Sequence, residues 1–117
     1  MKRVTLVLAV FLILIGTMAF AQLRQSTDAI TSDTKLWTVT NNKYVGFCGV
    51  LVVADGTNAA TVTVYDNTSA AGKKLATVTT AAGEYLSGFV LPYCVEAQTG
   101  LYIDVGTNTT IFLHWAR

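Results

Sequence analysis

Charge, histidine and proline are scarce in this chain. Only 13% of its 117 residues are Asp, Glu, Lys or Arg, and it holds one histidine, His114, and one proline, Pro92. A formal net charge of +1 gives no basic surface for neutralising phosphates, so nucleic acid is not an expected partner. One histidine and two cysteines, Cys48 and Cys94, fall short of the four ligands of a structural zinc site. The four serines (Ser26, Ser32, Ser69 and Ser87) lie in no nucleophile motif, and a triad would need one of them beside His114 and a carboxylate.

The seven acidic residues are scattered, with Glu84 and Glu96 flanking strands and Asp55 and Asp66 read as turn formers. Asp55-Gly56-Thr57-Asn58 has the opening of a calcium loop but lacks its spaced acids and closing Glu. No glycine-rich phosphate loop precedes a helix. The inventory therefore points away from an enzyme, with no catalytic residue, no metal ligand and no cofactor expected. A secreted hydrolase dependent on His114 is kept only as a contrast.

What the chain does have is an apolar start. Lys2 and Arg3 precede 18 uncharged residues, 4–21, whose dense apolar heart ends at Gly16, and Ala19-Phe20-Ala21 supplies small residues at −3 and −1. That is the pattern of a secretory signal peptide, a helix over residues 1–21, cleaved before Gln22. The alternative is an uncleaved anchor, because 18 residues sit at the low end of spanning length. Cleavage would remove two basic residues and leave six against seven acidic ones. The only membrane contact expected is through this segment, and the product would be secreted or periplasmic.

Both cysteines follow the cleavage site. In an oxidising compartment a Cys48–Cys94 disulfide is the default, the alternative being two buried free thiols.

Residues 22–34 are polar and read as a linker or N-terminal arm. From residue 35 to 117 the pattern is of short β-rich runs broken by turn residues. The runs are 36–40, 44–53, 61–65, 75–79, 85–91, 101–105 and 111–115. Thr61-Val62-Thr63-Val64-Tyr65 alternates strictly. Residues 44–53 form the strongest strand, with Val50-Leu51-Val52-Val53 implying cover on both faces. Pro92 is expected to end the pairing of 85–91, since it lacks an N–H. No convincing helical stripe occurs after residue 21, and 16 threonines in residues 22–117 suit water-facing strand surfaces. The expected fold class is all-β, a single small antiparallel β-sandwich of jelly-roll-like form.

Asn67-Thr68-Ser69 and Asn108-Thr109-Thr110 match the glycosylation sequon, each where a turn would place Asn anyway. Trp37, Tyr65, Tyr102 and Phe112 are the candidate binding or interface aromatics. Tyr65, Tyr102 and Phe112 alternate onto faces opposite the aliphatic residues. Such a row stacks on sugars or forms a subunit interface, unless both sheet faces are covered in the fold.

From Gly49 to Trp115 the order of strands and turns resembles a known family. A Gly-Val-Leu-Val strand leads into Asp55-Gly56-Thr57-Asn58-Ala59-Ala60-Thr61-Val62-Thr63-Val64-Tyr65-Asp66-Asn67-Thr68-Ser69. Gly72-Lys73-Lys74-Leu75 follows, and later Thr99-Gly100-Leu101-Tyr102-Ile103-Asp104-Val105. This resembles small β-sandwich structural proteins of tailed phages and prophages. The resemblance implies a virion accessory role (decoration, fibre or tail-associated), assembled through surface contacts as a homo-oligomer or with other structural subunits. It carries over no catalytic residue. The signal peptide and the cysteine pair depart from that family's usual cytoplasmic assembly. The expected function is thus an exported, non-catalytic structural or interaction module. A secreted glycan- or cell-surface-binding module is the alternative.

Overall fold

The alternating runs of the sequence become eight antiparallel strands in the computed structural model, which describes residues 24–40 and 43–117. The expected signal peptide, residues 1–21, lies outside the described residues. The strands are β1 (Arg24–Ser26), β2 (Thr34–Thr38), β3 (Val45–Ala54), β4 (Ala60–Asp66), β5 (Lys73–Thr80), β6 (Leu86–Ala97), β7 (Gly100–Val105) and β8 (Thr109–Ala116). They form two four-stranded sheets, ordered β1-β8-β3-β6 and β2-β7-β4-β5. Most consecutive strands therefore lie in opposite sheets, and the order is that of an eight-stranded jelly roll. The fold is the expected β-sandwich.

The core lies between the sheets. Val45, Phe47, Val50 and Val52 of β3 and Ile111 and Leu113 of β8 face Val62 and Val64 of β4 and Leu101 and Ile103 of β7. Alternation puts the remaining residues outside: Thr61 and Thr79 share a hydroxyl–hydroxyl hydrogen bond of 3.1 Å on the outer face of the second sheet. On β3 the outer face is less covered, and Leu51 and Val53 are half-buried there.

Of the linker and the N-terminal arm expected over residues 22–34, the described part from Arg24 onward behaves as an arm: β1 pairs with β8, and Ile30 bridges Ile111 through paired backbone hydrogen bonds of 2.9 Å. The Thr27 hydroxyl accepts the Leu113 N–H at 3.0 Å, which completes the docking of the arm on its own chain. The few apolar side chains hid this segment, because its pairing is a backbone affair.

Pairing with β3 does lapse ahead of Pro92, as expected, but the strand does not end there. β6 runs on to Ala97, with pairing to β3 interrupted only between Gly49↔Val90 and Phe47↔Val95. Leu91, Pro92, Tyr93 and Cys94 occupy that interruption opposite Cys48 alone, so the proline sits where no ladder donor is required.

Candidate interaction surface

An edge strand that is apolar and uncharged over most of its length is the most distinctive surface of this sandwich. β6 ends one sheet, and its twelve residues carry no Asp, Glu, Lys or Arg before Glu96. The other edges differ. β1 is three residues long and holds Arg24, β2 holds Lys35, and β5 opens with Lys73-Lys74. Shortness, charge, proline and bulges protect an edge from pairing with another chain, and β6 from Leu86 to Val90 has none of them; Pro92, the irregular segment and Glu96 come only beyond it.

Among the described residues, the large exposed hydrophobic side chains gather here. Tyr85 is 68% exposed, Leu86 60%, Val90 61% and Tyr93 85%, with Phe89, Val95 and Tyr44 also exposed. Opposite residues share a sheet face, so the register places them. Leu86 lies beside Val53 and Val90 beside Gly49 on the outer face; between them Gly88 lies beside Leu51, which pairs onward with Phe112. Phe89 turns to the inner face, where its ring meets Phe47 edge-on with centroids 6.1 Å apart.

The direction of the backbone groups is also fixed. Tyr85 gives its carbonyl to the Ala54 N–H at 2.9 Å, so it faces β3. Alternation along the strand then turns the N–H and C=O of Leu86, Gly88 and Val90 away from β3.

Beyond Val90 the strand is pinned. Cys48 and Cys94 form a disulfide, 46 residues apart in sequence, that ties the irregular segment of β6 to β3. Gly46 makes room for it, since a Cβ there would stand 2.9 Å from that of Cys94. From β1, Arg24 donates to the carbonyls of Leu91 at 3.3 Å and Pro92 at 2.5 Å. A disulfide of this kind belongs to an oxidising, extracytoplasmic environment.

Of the aromatics singled out from sequence, Tyr65 and Tyr102 come together as cross-strand neighbours, while Trp37 and Phe112 lie apart from them. Tyr65 is buried, opposite Tyr102 on the outer face of the second sheet, with Lys74 Nζ 6.0 Å from its ring centre. Phe112 is half-buried on the outer face of the first sheet. Trp37 packs against Trp115 at 5.8 Å, with the Arg117 guanidinium 5.4 Å from its ring centre. Trp37, Thr40, Lys43, Tyr44 and Arg117 line a recess of about 620 Å³.

His114 lies opposite Ser26 and Gly49, but the Ser26 hydroxyl is directed to the Thr27 carbonyl at 3.4 Å. Asp55 is spent on its turn. The N–H groups of Asn58 and Thr57, both at 2.8 Å, and the Asn58 side-chain amide at 2.9 Å hold its carboxyl below the usual carboxylate range. Among the described residues no three His, Cys, Asp or Glu converge as metal ligands.

Sequence reasoning missed Tyr44, Tyr85, Leu86, Phe89, Val90, Tyr93 and Val95 as a surface. The signal was present: a proline inside an uncharged apolar run marks an edge strand. No protein-family model, curated protein or solved structure matches the chain.

Proposed function

We propose that this chain is an exported, non-catalytic interaction module that works by burying the β6 edge against another protein subunit. The observation that carries this reading is the concentration of exposed large hydrophobic side chains on β6 and its flanks. Exposed apolar patches on soluble domains mark contact sites. Export is supported by the charged start, apolar run and Ala19-Phe20-Ala21, together with the disulfide. The resemblance of residues 49–115 to phage virion accessory proteins supports a structural assembly in decoration, fibre or tail-associated form. Jelly rolls serve as viral capsid domains and as lectins alike, so the fold itself favours neither use.

The test compares assemblies isolated from the producing cell or its particles. Leu86→Lys and Val90→Lys place charges on the outer face of β6, where both side chains are largely exposed. Loss of the chain from its assembly, with the fold unchanged by circular dichroism, is the expected result. Full retention of both variants would sink the reading.

A second reading, a module binding an acidic glycan, rests on the recess that Trp37 and Tyr44 line together with Lys43 and Arg117. Aromatic faces stack on sugar rings and the two cations suit a carboxylate. It predicts glycan binding that weakens with Trp37→Ala and with added salt; binding indifferent to both removes it.

A further inference from the structure

We propose that β6 pairs with β6 of a second copy of this chain, antiparallel and about a two-fold axis at Gly88. The inference rests on the β6 edge being the contact surface and names its occupant. Pairing would join two four-stranded sheets into one continuous sheet across the axis.

Three observations select a second copy. The first is backbone direction. Leu86, Gly88 and Val90 turn their N–H and C=O groups outward, as the Tyr85–Ala54 hydrogen bond requires by alternation. Centring the axis on Gly88 sets Leu86 opposite the second copy's Val90, Gly88 opposite Gly88, and Val90 opposite Leu86. Each of these is then a pair that exchanges hydrogen bonds, and none of the outward groups in the segment is left over.

The second is side-chain match. Leu86 and Val90 lie on the same outer face, so the axis brings two aliphatic pairs together beside the glycines. Identical edges repel when they are charged, and between Tyr85 and Val95 this edge has no charged side chain. A strongly charged partner would find no counter-charge here. Beyond Leu91 the irregular segment held by Arg24 and the disulfide breaks the ladder, so pairing is confined to the stretch around Gly88.

The third is area. At 150–250 Å² per aromatic side chain and rather less per aliphatic one, the exposed parts of Tyr85, Leu86, Phe89, Val90 and Tyr93 come to roughly 550 Å² per copy. Two copies then bury at most on the order of 1,100 Å², just below the standard specific interface and in the range of weak, transient ones, which predicts a concentration-dependent dimer.

The test is a crosslink that reads the register. Leu86→Cys and Val90→Cys chains are expressed separately and mixed under mild oxidation, and mass spectrometry checks that Cys48–Cys94 stays intact. Paired strands hold opposite Cα atoms about 5.5 Å apart, within disulfide reach, whereas Leu86 of one copy is far from Leu86 of the other. The expected result is a covalent dimer in the mixture and little in either variant alone. Light scattering of the unaltered chain across a concentration series supplies the second measurement, and Val90→Lys is expected to abolish the dimer. Oligomers without the mixed crosslink overturn the β6–β6 pairing and leave the edge-association reading to stand on the Leu86→Lys and Val90→Lys assembly test. A chain monomeric at every concentration overturns the pairing, and a heterologous subunit is then the only occupant left to that reading.

Discussion

Asp66, the last residue of β4, accepts the backbone N–H of Thr99 at 2.7 Å across 33 residues of chain. The Gly100 N–H adds a longer contact at 3.4 Å, so one carboxylate holds the turn between β6 and β7. Burial pushes this carboxyl up, but the N–H groups of Gln98, Thr99 and Gly100 and the nearby Lys73 charge outweigh it, and the net displacement is downward. A carboxyl lowered in the folded state contributes stability above its unfolded value, near pH 4, and that contribution is lost as pH falls through the folded value. Asp66→Asn should therefore lower stability by about 1–3 kcal/mol at pH 7. It should lose less on acidification, so the two unfolding curves converge toward pH 2. Urea titrations at both pH values check this, and an unchanged gap at pH 2 would contradict it.

Reduction of the Cys48–Cys94 bridge should cost more than any single surface change. Releasing a loop of 46 residues restores about 4 kcal/mol of unfolded-chain entropy. For a domain this small that is a large part of net stability. The Cys48→Ala/Cys94→Ala chain is expected to unfold at a much lower urea concentration. Adding reductant to the unaltered chain should reproduce the shift, and should do nothing further to the double variant. Equal midpoints with and without the bridge would rule out the loop-entropy account.

The sandwich was legible in the sequence because most of its strands are short β-rich runs, several alternating with a period of two, and their turns are marked. Val62 and Val64 face in and Thr61 faces out, as their alternation requires. β1 was not legible, since Arg24-Gln25-Ser26 buries little and is held by backbone pairing to β8 and by the Arg24 guanidinium. Tyr65 illustrates the opposite failure: it alternates to the outer face, yet neighbouring side chains bury it there. The β6 surface was missed for a tertiary reason. An apolar run such as 86–91 reads alike at the centre or edge of a sheet, and only strand order distinguishes them. Pro92 alone pointed to the edge.

Gly88 should tolerate no side chain. Its φ is +151°, and a Cβ built there would collide with the Val50 carbonyl oxygen and approach the Leu51 Cα at 2.9 Å. Both obstacles are backbone of the adjacent strand, so relief means moving β6 off β3. Gly88→Ala is expected to cost about 2–4 kcal/mol, the range of overpacking combined with backbone strain. Gly83 is the control: its φ is +89°, but among the described residues no atom beyond its chain neighbours lies within 4 Å of the added Cβ. Gly83→Ala should cost only the conformational part, roughly 1–2 kcal/mol. Equal losses at the two sites would show that close approach at Gly88 contributes nothing.

Thr80 makes the opposite prediction, a gain. Its side chain is fully buried beside Ala60, and its hydroxyl has no hydrogen-bond partner among the described residues. A buried hydroxyl without a partner costs about 1–3 kcal/mol of desolvation, while the Cγ2 methyl of the same residue packs usefully in the core. Thr80→Val replaces the hydroxyl by a methyl of similar size and should raise stability by about 1–2 kcal/mol. Thr80→Ser keeps the hydroxyl and removes the methyl, so it should lower stability. Thr79 separates this from a general preference for valine in strands, because it is exposed and its hydroxyl bonds to that of Thr61. Thr79→Val breaks that pair at a wet surface and should change stability little. The decisive measurement is the set of three denaturation midpoints. A gain at both positions would reflect β-propensity, whereas a gain at Thr80 alone identifies the unsatisfied hydroxyl as the cause.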